Sequence, residues 1–217
     1  MRIEMSGAGK RFNREWIFRN ASLEFTSGNS YAITGPNGSG KSTLLQCIGG
    51  MLQISEGKIM YEVSGKQLPD EEAFREISFC APYQDLIEEM TLTEFLHFHE
   101  KFKSFASGLS VGDVTGIIGL EAAAGKQIRY FSSGMKQRVK LAQAILSNAS
   151  IVLLDEPCSN LDLPGIALYH ELIRKYCNDR VVLVCSNDEV EYNFCRNIIS
   201  ILEFKNSSVP TFHHGNG

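Results

Sequence analysis

The sequence predicts an α/β fold: a mostly parallel sheet, preceded by an antiparallel β subdomain at the N-terminus and interrupted by an inserted helical subdomain. Three observations lead there. Short, wholly apolar segments at 151–154 and 181–185 alternate with helical patterns, as in strands buried on both faces of a parallel sheet. A glycine-rich stretch, Gly35 to Thr43, stands between a predicted strand and a predicted helix. The hydrophobic period is strand-like at both ends of the chain and helical between about residues 85 and 146.

Taken in order, residues 1–34 alternate short apolar stretches with turn residues, giving strands at 3–5, 16–18, 21–25 and 30–34, the last running into glycines. A further strand, 58–63, follows Gly57. In the middle, Phe95, Leu96, Phe98, His99 and Phe102 fall at helical spacing, and 133–146 forms a second amphipathic segment. Then come a strand at 151–154, a helix near 166–176, and strands at 181–185 and 198–202. A chain of 217 residues and 24.1 kDa fits one domain, 1–217, with a core of about 1–84 and 147–217 and a helical insertion of about 85–146.

Composition excludes several classes of function. The formal charge of −4 is mixed in sign along the chain, so no nucleic-acid partner is expected. The small basic cluster of Lys10, Arg11, Arg14 and Arg19 is broken by Glu15 and reads as a solvated hairpin. The longest unbroken apolar run is the five residues Val181–Cys185, against roughly 20 for a membrane-spanning helix, so the chain is not expected to cross a bilayer by itself. Met1-Arg2-Ile3-Glu4 lacks the apolar stretch of a secretory signal, and the six cysteines include no CxxC pair, which points to reduced thiols and a cytoplasmic setting.

The chemistry concentrates in two places. Gly35-Pro36-Asn37-Gly38-Ser39-Gly40-Lys41-Ser42-Thr43 fits GxxxxGK[ST], the loop that cradles phosphates. Its glycines let backbone N–H groups converge on a polyphosphate, and the following helix adds a positive dipole end at the same point. Lys41 would reach the β and γ phosphates, and Ser42 offers a hydroxyl to a phosphate-bound Mg²⁺. The second place is Asp155-Glu156-Pro157, where a buried strand delivers two carboxylates at its C-terminal end. Asp155 would hold the Mg²⁺ hydration shell, while Glu156 polarises the water that attacks the γ phosphate.

With these motifs in hand, the chain resembles the ATP-binding subunits of ABC transporters, which share a P-loop nucleotide-hydrolase core. The resemblance covers nearly the whole length in the family's motif order. Tyr83-Gln84 is similar to the family's Q-loop, which implies that Gln84 contacts Mg²⁺ and the attacking water. Phe131-Ser132-Ser133-Gly134-Met135 resembles the signature, usually LSGGQ, with only Ser132 and Gly134 matching by identity. A helix beginning near Ser133 would still present a hydroxyl and free N–H groups to the γ phosphate of an ATP held by another subunit. Taken alone, the same residues read as an ordinary helix cap by Ser132. Ser159-Asn160-Leu161-Asp162 resembles the D-loop, which places Asp162 at the subunit boundary. Phe12 falls where the family stacks an aromatic on adenine, with Trp16 as the nearby competitor. After residues 181–185 the family carries a histidine that contacts the γ phosphate, and here Asn187 stands in its place. An amide donates one hydrogen bond but carries no proton, so slowed hydrolysis is expected.

The resemblance implies an ATPase that binds ATP and Mg²⁺ between two head-to-tail ATP-binding subunits, in a homodimer or a heterodimer. It would drive transport through a transmembrane permease subunit docked beside Gln84, along residues 82–98. The protein would then sit peripherally on the inner face of the cell membrane. The brevity of the motif set looks exporter-like. The alternative is an ATP-gated regulatory clamp with little turnover. Soluble ABC ATPases of DNA repair or translation carry a coiled-coil insertion or a tandem pair of domains, which 217 residues with one copy of each motif do not accommodate.

Overall fold

Two long strands open the chain. β1 (Arg2–Phe12) and β2 (Glu15–Thr26) pair antiparallel, and β4 (Glu56–Val63) and β5 (Lys66–Leu68) complete a four-stranded antiparallel sheet in the order β2-β1-β4-β5. The computed structural model describes residues 1–205; the end that carries His213 and His214, for which the sequence predicts no metal binding, lies outside the described residues. The two strands expected at 16–18 and 21–25 are one strand, β2. Asn20 adopts φ 55° and the β1–β2 register shifts around Ala8, so irregular pairing absorbs the polar break that reads as a turn in sequence. The basic hairpin is solvated as expected: Arg11 and Arg14 are exposed, and Arg19 pairs with Glu56 at 2.8 Å.

The second sheet is parallel, in the order β6-β7-β8-β3-β9. Its strands are β3 (Ser30–Thr34), β6 (Ile77–Cys80), β7 (Ile151–Asp155), β8 (Val181–Cys185) and β9 (Asn197–Ser200). β6 escapes sequence reading because it has four residues and no turn signal before it. The expected strand at 198–202 starts and ends earlier and gives way to a 3-10 turn at Ile201–Phe204.

Alternation along these strands divides the apolar residues between two cores. Ile151, Leu153, Val181, Leu183, Tyr31 and Ile33 face β1, β2 and α1 (Lys41–Ile48). Val152, Leu154, Val182, Val184 and Ala32 face the helices on the other side. All these residues are at most 8% exposed, and each large aliphatic among them contributes about 1.5–3 kcal/mol by leaving water. This two-sided burial explains the all-apolar composition of β7 and β8.

The helical middle contains, after the short α2 (Asp70–Ala73), the helices α3 (Leu92–Glu100), α4 (Val111–Ile117) and α5 (Ser133–Ile145). Thr91 with Glu94, and Ser110 with Asp113, form capping boxes that start α3 and α4. α3 and α4 pack on each other. α5 falls within the expected insertion, yet it packs against β6, β7 and α6 (Leu163–Tyr176), as a layer on the parallel sheet. A four-residue helix, α7 (Glu189–Tyr192), follows β8. All six cysteines are free, and among the described residues no helix is long and apolar enough to cross a membrane.

Candidate nucleotide-binding site

The parallel sheet sets the site. The chain leaves the C-terminal ends of β3, β7 and β8 into the phosphate loop, Asp155-Glu156 and Asn187 respectively, and leaves β6 toward Gln84. β3 pairs with β8, and β8 with β7, so these loops are spatial neighbours although as many as 152 residues separate them.

In the phosphate loop, Gly40 adopts φ 101°, and a Cβ there would run into the Ile17 side chain, so only glycine permits the loop to close onto β2. Gly40 also serves as the N-cap of α1, with no side chain accepting from the helix and no acid in the first turn. α3 and α4 instead fill their N-termini with Glu94 and Asp113. The N-terminus of α1 therefore keeps its donors available for an anion. Lys41 is 6% exposed, and its Nζ donates to the carbonyls of Gly35 at 2.6 Å and Pro36 at 3.2 Å. A cavity of about 230 Å³ lies over the loop, lined by residues 37–43 together with Ile17 and Glu156. Hollows of about 430 Å³ beside the end of α1 and about 380 Å³ beside α6 are larger, but neither is lined by an acid or by the N-terminus of an α-helix.

Asp155 is 2% exposed, and its Oδ1 has no hydrogen-bond partner in the protein. Burial pushes its carboxyl above the usual carboxylate range, against the pull of hydrogen bonds from Ser42 and Tyr83 and of the Lys41 charge. Gln84 Oε1 is likewise buried and unpartnered. Two orphaned oxygens and the Ser42 hydroxyl are the donor type of a hard, oxygen-seeking cation completed by phosphate and water. Among the described residues no cluster of three His, Cys, Asp or Glu could hold a metal by itself. Glu156 is exposed and held at φ 44°, a left-handed conformation that costs roughly 1–2 kcal/mol in a residue with a Cβ and turns its side chain toward the cavity instead of along the strand. Asn187 reaches the loop directly. Its Nδ2 donates to Asn37 Oδ1 at 2.7 Å, and its Oδ1 accepts the Gly35 N–H at 3.3 Å.

The remaining candidates lie apart. Ser132 is the N-cap of α5, accepting from the Met135 N–H at 3.2 Å, while Ser132 and Ser133 are exposed. Gly134 leaves space for the Asn160 carbonyl, 3.1 Å from where a Cβ would stand. Asp162 caps α6 through the Gly165 N–H at 2.9 Å and pairs with Arg138 at 3.3 Å. None of residues 131–135 and 162 lines the cavity over the phosphate loop. Phe12 is 47% exposed with Lys10 Nζ 5.0 Å from its ring centre, whereas Trp16 already holds Arg11 and Arg19 against its ring. In the segment expected to receive a partner, Leu86 is 8% exposed and belongs to the same core as the buried face of α3, Leu92, Phe95 and Leu96; Tyr83, Ile87 and Phe98 are the exposed apolar groups.

Sequence reasoning missed Ile17, which carries no motif and reaches the loop only through the β2 fold. It also missed Gln137, whose Nε2 donates to the Pro157 carbonyl at 2.7 Å and ties α5 to the end of β7. The polar identity of Gln137 on the buried face of α5 was the available signal.

Residues 18–159 match the ABC transporter family. The chain belongs to that family. It is 32% identical to the uncharacterized ABC transporter ATP-binding protein YybJ of Bacillus subtilis, over 79% of this chain and 78% of that one. It is 29% identical to the cytochrome c biogenesis ATP-binding export protein CcmA of Rhizobium meliloti, over 87% and 92%. Among solved structures it resembles the dimeric bacterial ABC transporter cassette MJ0796, with a TM-score of 0.78 and 25% identity over 91% of this chain and 93% of that one. The ABC cassette fold thus agrees with the α/β architecture read from the sequence, and the chain is an ATP-binding subunit of the ABC ATPase type. Phe12, Asp162 and Asn187 lie outside the matched segment.

Proposed function

We propose that this ABC cassette binds Mg·ATP between two chains arranged head to tail, hydrolyses it, and passes the resulting opening motion to a transmembrane permease subunit. The observation that carries this reading is the division of labour in one chain. The cavity over the phosphate loop is lined by loop residues, Ile17 and Glu156, with no contribution from 131–135, while the N-terminus of α5 stays exposed. A second subunit supplies the missing half, so bound ATP acts as an adhesive between chains and its hydrolysis lets them part.

Each group has a task in this reading. Lys41 exchanges the carbonyls of Gly35 and Pro36 for β and γ phosphate oxygens. Ser42, Asp155 and Gln84 would hold Mg²⁺, which supplies charge neutralisation at the transferring phosphoryl group. Glu156 polarises the attacking water, and Asn187 donates to the γ phosphate in place of a histidine, which slows turnover. Ser132, Ser133 and Gly134 would meet the γ phosphate from the other chain, with Asp162 at the boundary and Phe12 against the adenine. The exposed Tyr83, Ile87 and Phe98 within residues 82–98 offer the permease an apolar seat on the cytoplasmic side of the membrane. A second reading, an ATP-gated clamp with little turnover, draws on Asn187 being spent on Asn37 and Gly35.

The test is the mass of the Glu156→Gln variant by sedimentation with and without Mg·ATP. The reading expects an ATP-dependent dimer that Lys41→Ala abolishes. ATP bound by a monomer at all protein concentrations would refute the sandwich.

A further inference from the structure

Glu191 is a buried carboxylate that the chemistry above leaves unused. It is 5% exposed and sits in α7, just after the turn that carries Asn187. Its Oε1 accepts the Cys158 N–H at 2.7 Å, and its Oε2 is buried without a partner. Burial raises its pKa; hydrogen bonds from the Ser186 hydroxyl and the Cys158 N–H oppose this, and the nearby acids Asp188 and Glu156 add to it. Its own carbonyl receives the Tyr169 hydroxyl at 2.8 Å, and its N–H donates to the Asp188 carbonyl at 3.0 Å. One residue thus touches the turn after β7, the turn after β8, and α6.

Burying a carboxylate is unfavourable unless hydrogen bonds or charges around it compensate, and a four-residue helix has no need of one. The turn it holds is strained. Glu156 at φ 44° and Asn160 at φ 65° flank Cys158, and such conformations persist only where neighbours over-determine them. The Glu156 N–H is held by the Cys185 carbonyl at 2.9 Å, and the Pro157 carbonyl by Gln137. The Cys158 N–H is the point at which a side chain from beyond Asn187 takes hold.

We propose that Glu191 is a positioning residue whose single buried carboxylate couples the turn presenting Glu156 to the turn presenting Asn187, so that the two phosphate-facing groups move as one unit. The catalytic consequence rests on the function proposed above; the coupling itself does not.

Hydrogen exchange of the nucleotide-free full chain separates the two. Glu191→Ala speeds exchange at residues 156–161 and 186–190 together, by tenfold or more, with β7 and β8 unchanged. Glu191→Gln keeps the Oε1 acceptor and stays within about threefold of the parent. In Mg·ATP hydrolysis the alanine variant loses kcat at least tenfold with KM for ATP within about threefold, and glutamine restores most of it. Should Glu191→Ala not fold, Glu191→Asp, one methylene too short to reach Cys158, carries the same expectation. Exchange that is unchanged, confined to 186–192, or raised equally in β7 and β8 overturns the coupling. If the parent chain hydrolyses no ATP but Glu191→Ala still shows the paired exchange defect, the coupling stands and the proposed function is removed instead.

Discussion

Replacing Asp155 with asparagine should stabilise the empty protein while removing its response to Mg²⁺. The carboxylate is 2% exposed, its Oδ1 has no partner, and burial is the largest influence on its titration. An unsatisfied buried acceptor costs about 1–3 kcal/mol, and more when charged, so exchanging the anion for a neutral isostere recovers about 1–2 kcal/mol. In a domain of this size each kcal/mol moves Tm by about 2–4 °C, which places the shift near 2–8 °C upward. Thermal unfolding in EDTA reads this directly. Repeating the melt with ATP, and then with ATP and Mg²⁺, reads the second half. ATP alone stabilises both proteins through the phosphate loop, while the further increment from Mg²⁺ appears only in the parent. A lowered Tm of the empty variant, or a full Mg²⁺ increment in it, would refute the assignment of Asp155 as a carboxylate kept buried for a cation.

Other substitutions probe other parts of the account. Asn187→His should raise kcat of the assembled protein several-fold, because imidazole reaches further and carries a proton; unchanged turnover counts against Asn187 as the brake. His99, half-buried with Nε2 at 2.8 Å from Ser147 Oγ, has its pKa pushed by desolvation from 6.5 to about 4. The unfolded chain therefore takes up that proton first, and the associated stability is present above pH 6.5 and lost as pH falls toward about 4. His99→Gln should flatten that part of the stability curve, and parallel curves for parent and variant would contradict it. Leu86→Ala should cost about 2–4 kcal/mol as a core truncation, seen as a lower Tm. Ile87→Glu, at a residue 38% exposed, should leave Tm unchanged and weaken association with the proposed permease subunit in a pull-down.

Much of this was legible because the chemistry is local. A phosphate loop needs glycines and a lysine at fixed spacing, and a strand covered on both faces needs an unbroken apolar run, so 35–43, 151–155 and 181–185 announce themselves. What stayed hidden depends on partners distant in the chain. β6 is defined by its pairing with β7 through Ile77 and Ile151, and no local period marks four residues. Ile17 matters because β2 crosses the loop at Gly40, and Leu86 is buried in the core shared with α3, α4 and α5. The continuity of β2 depends on Asn20 accepting a positive φ within a sheet that sequence reads as two pieces. Glu191 gives no signal of burial, since a glutamate in a short acidic helix ordinarily faces solvent.

The central claim is that two copies of the site are completed across a chain boundary. Mg·ATP turnover per chain, measured across a wide range of protein concentration with Glu156→Gln as the control, tests it most directly. The account predicts turnover that rises with concentration toward a plateau and vanishes in the variant. Turnover per chain that is independent of concentration and survives in Glu156→Gln would contradict it.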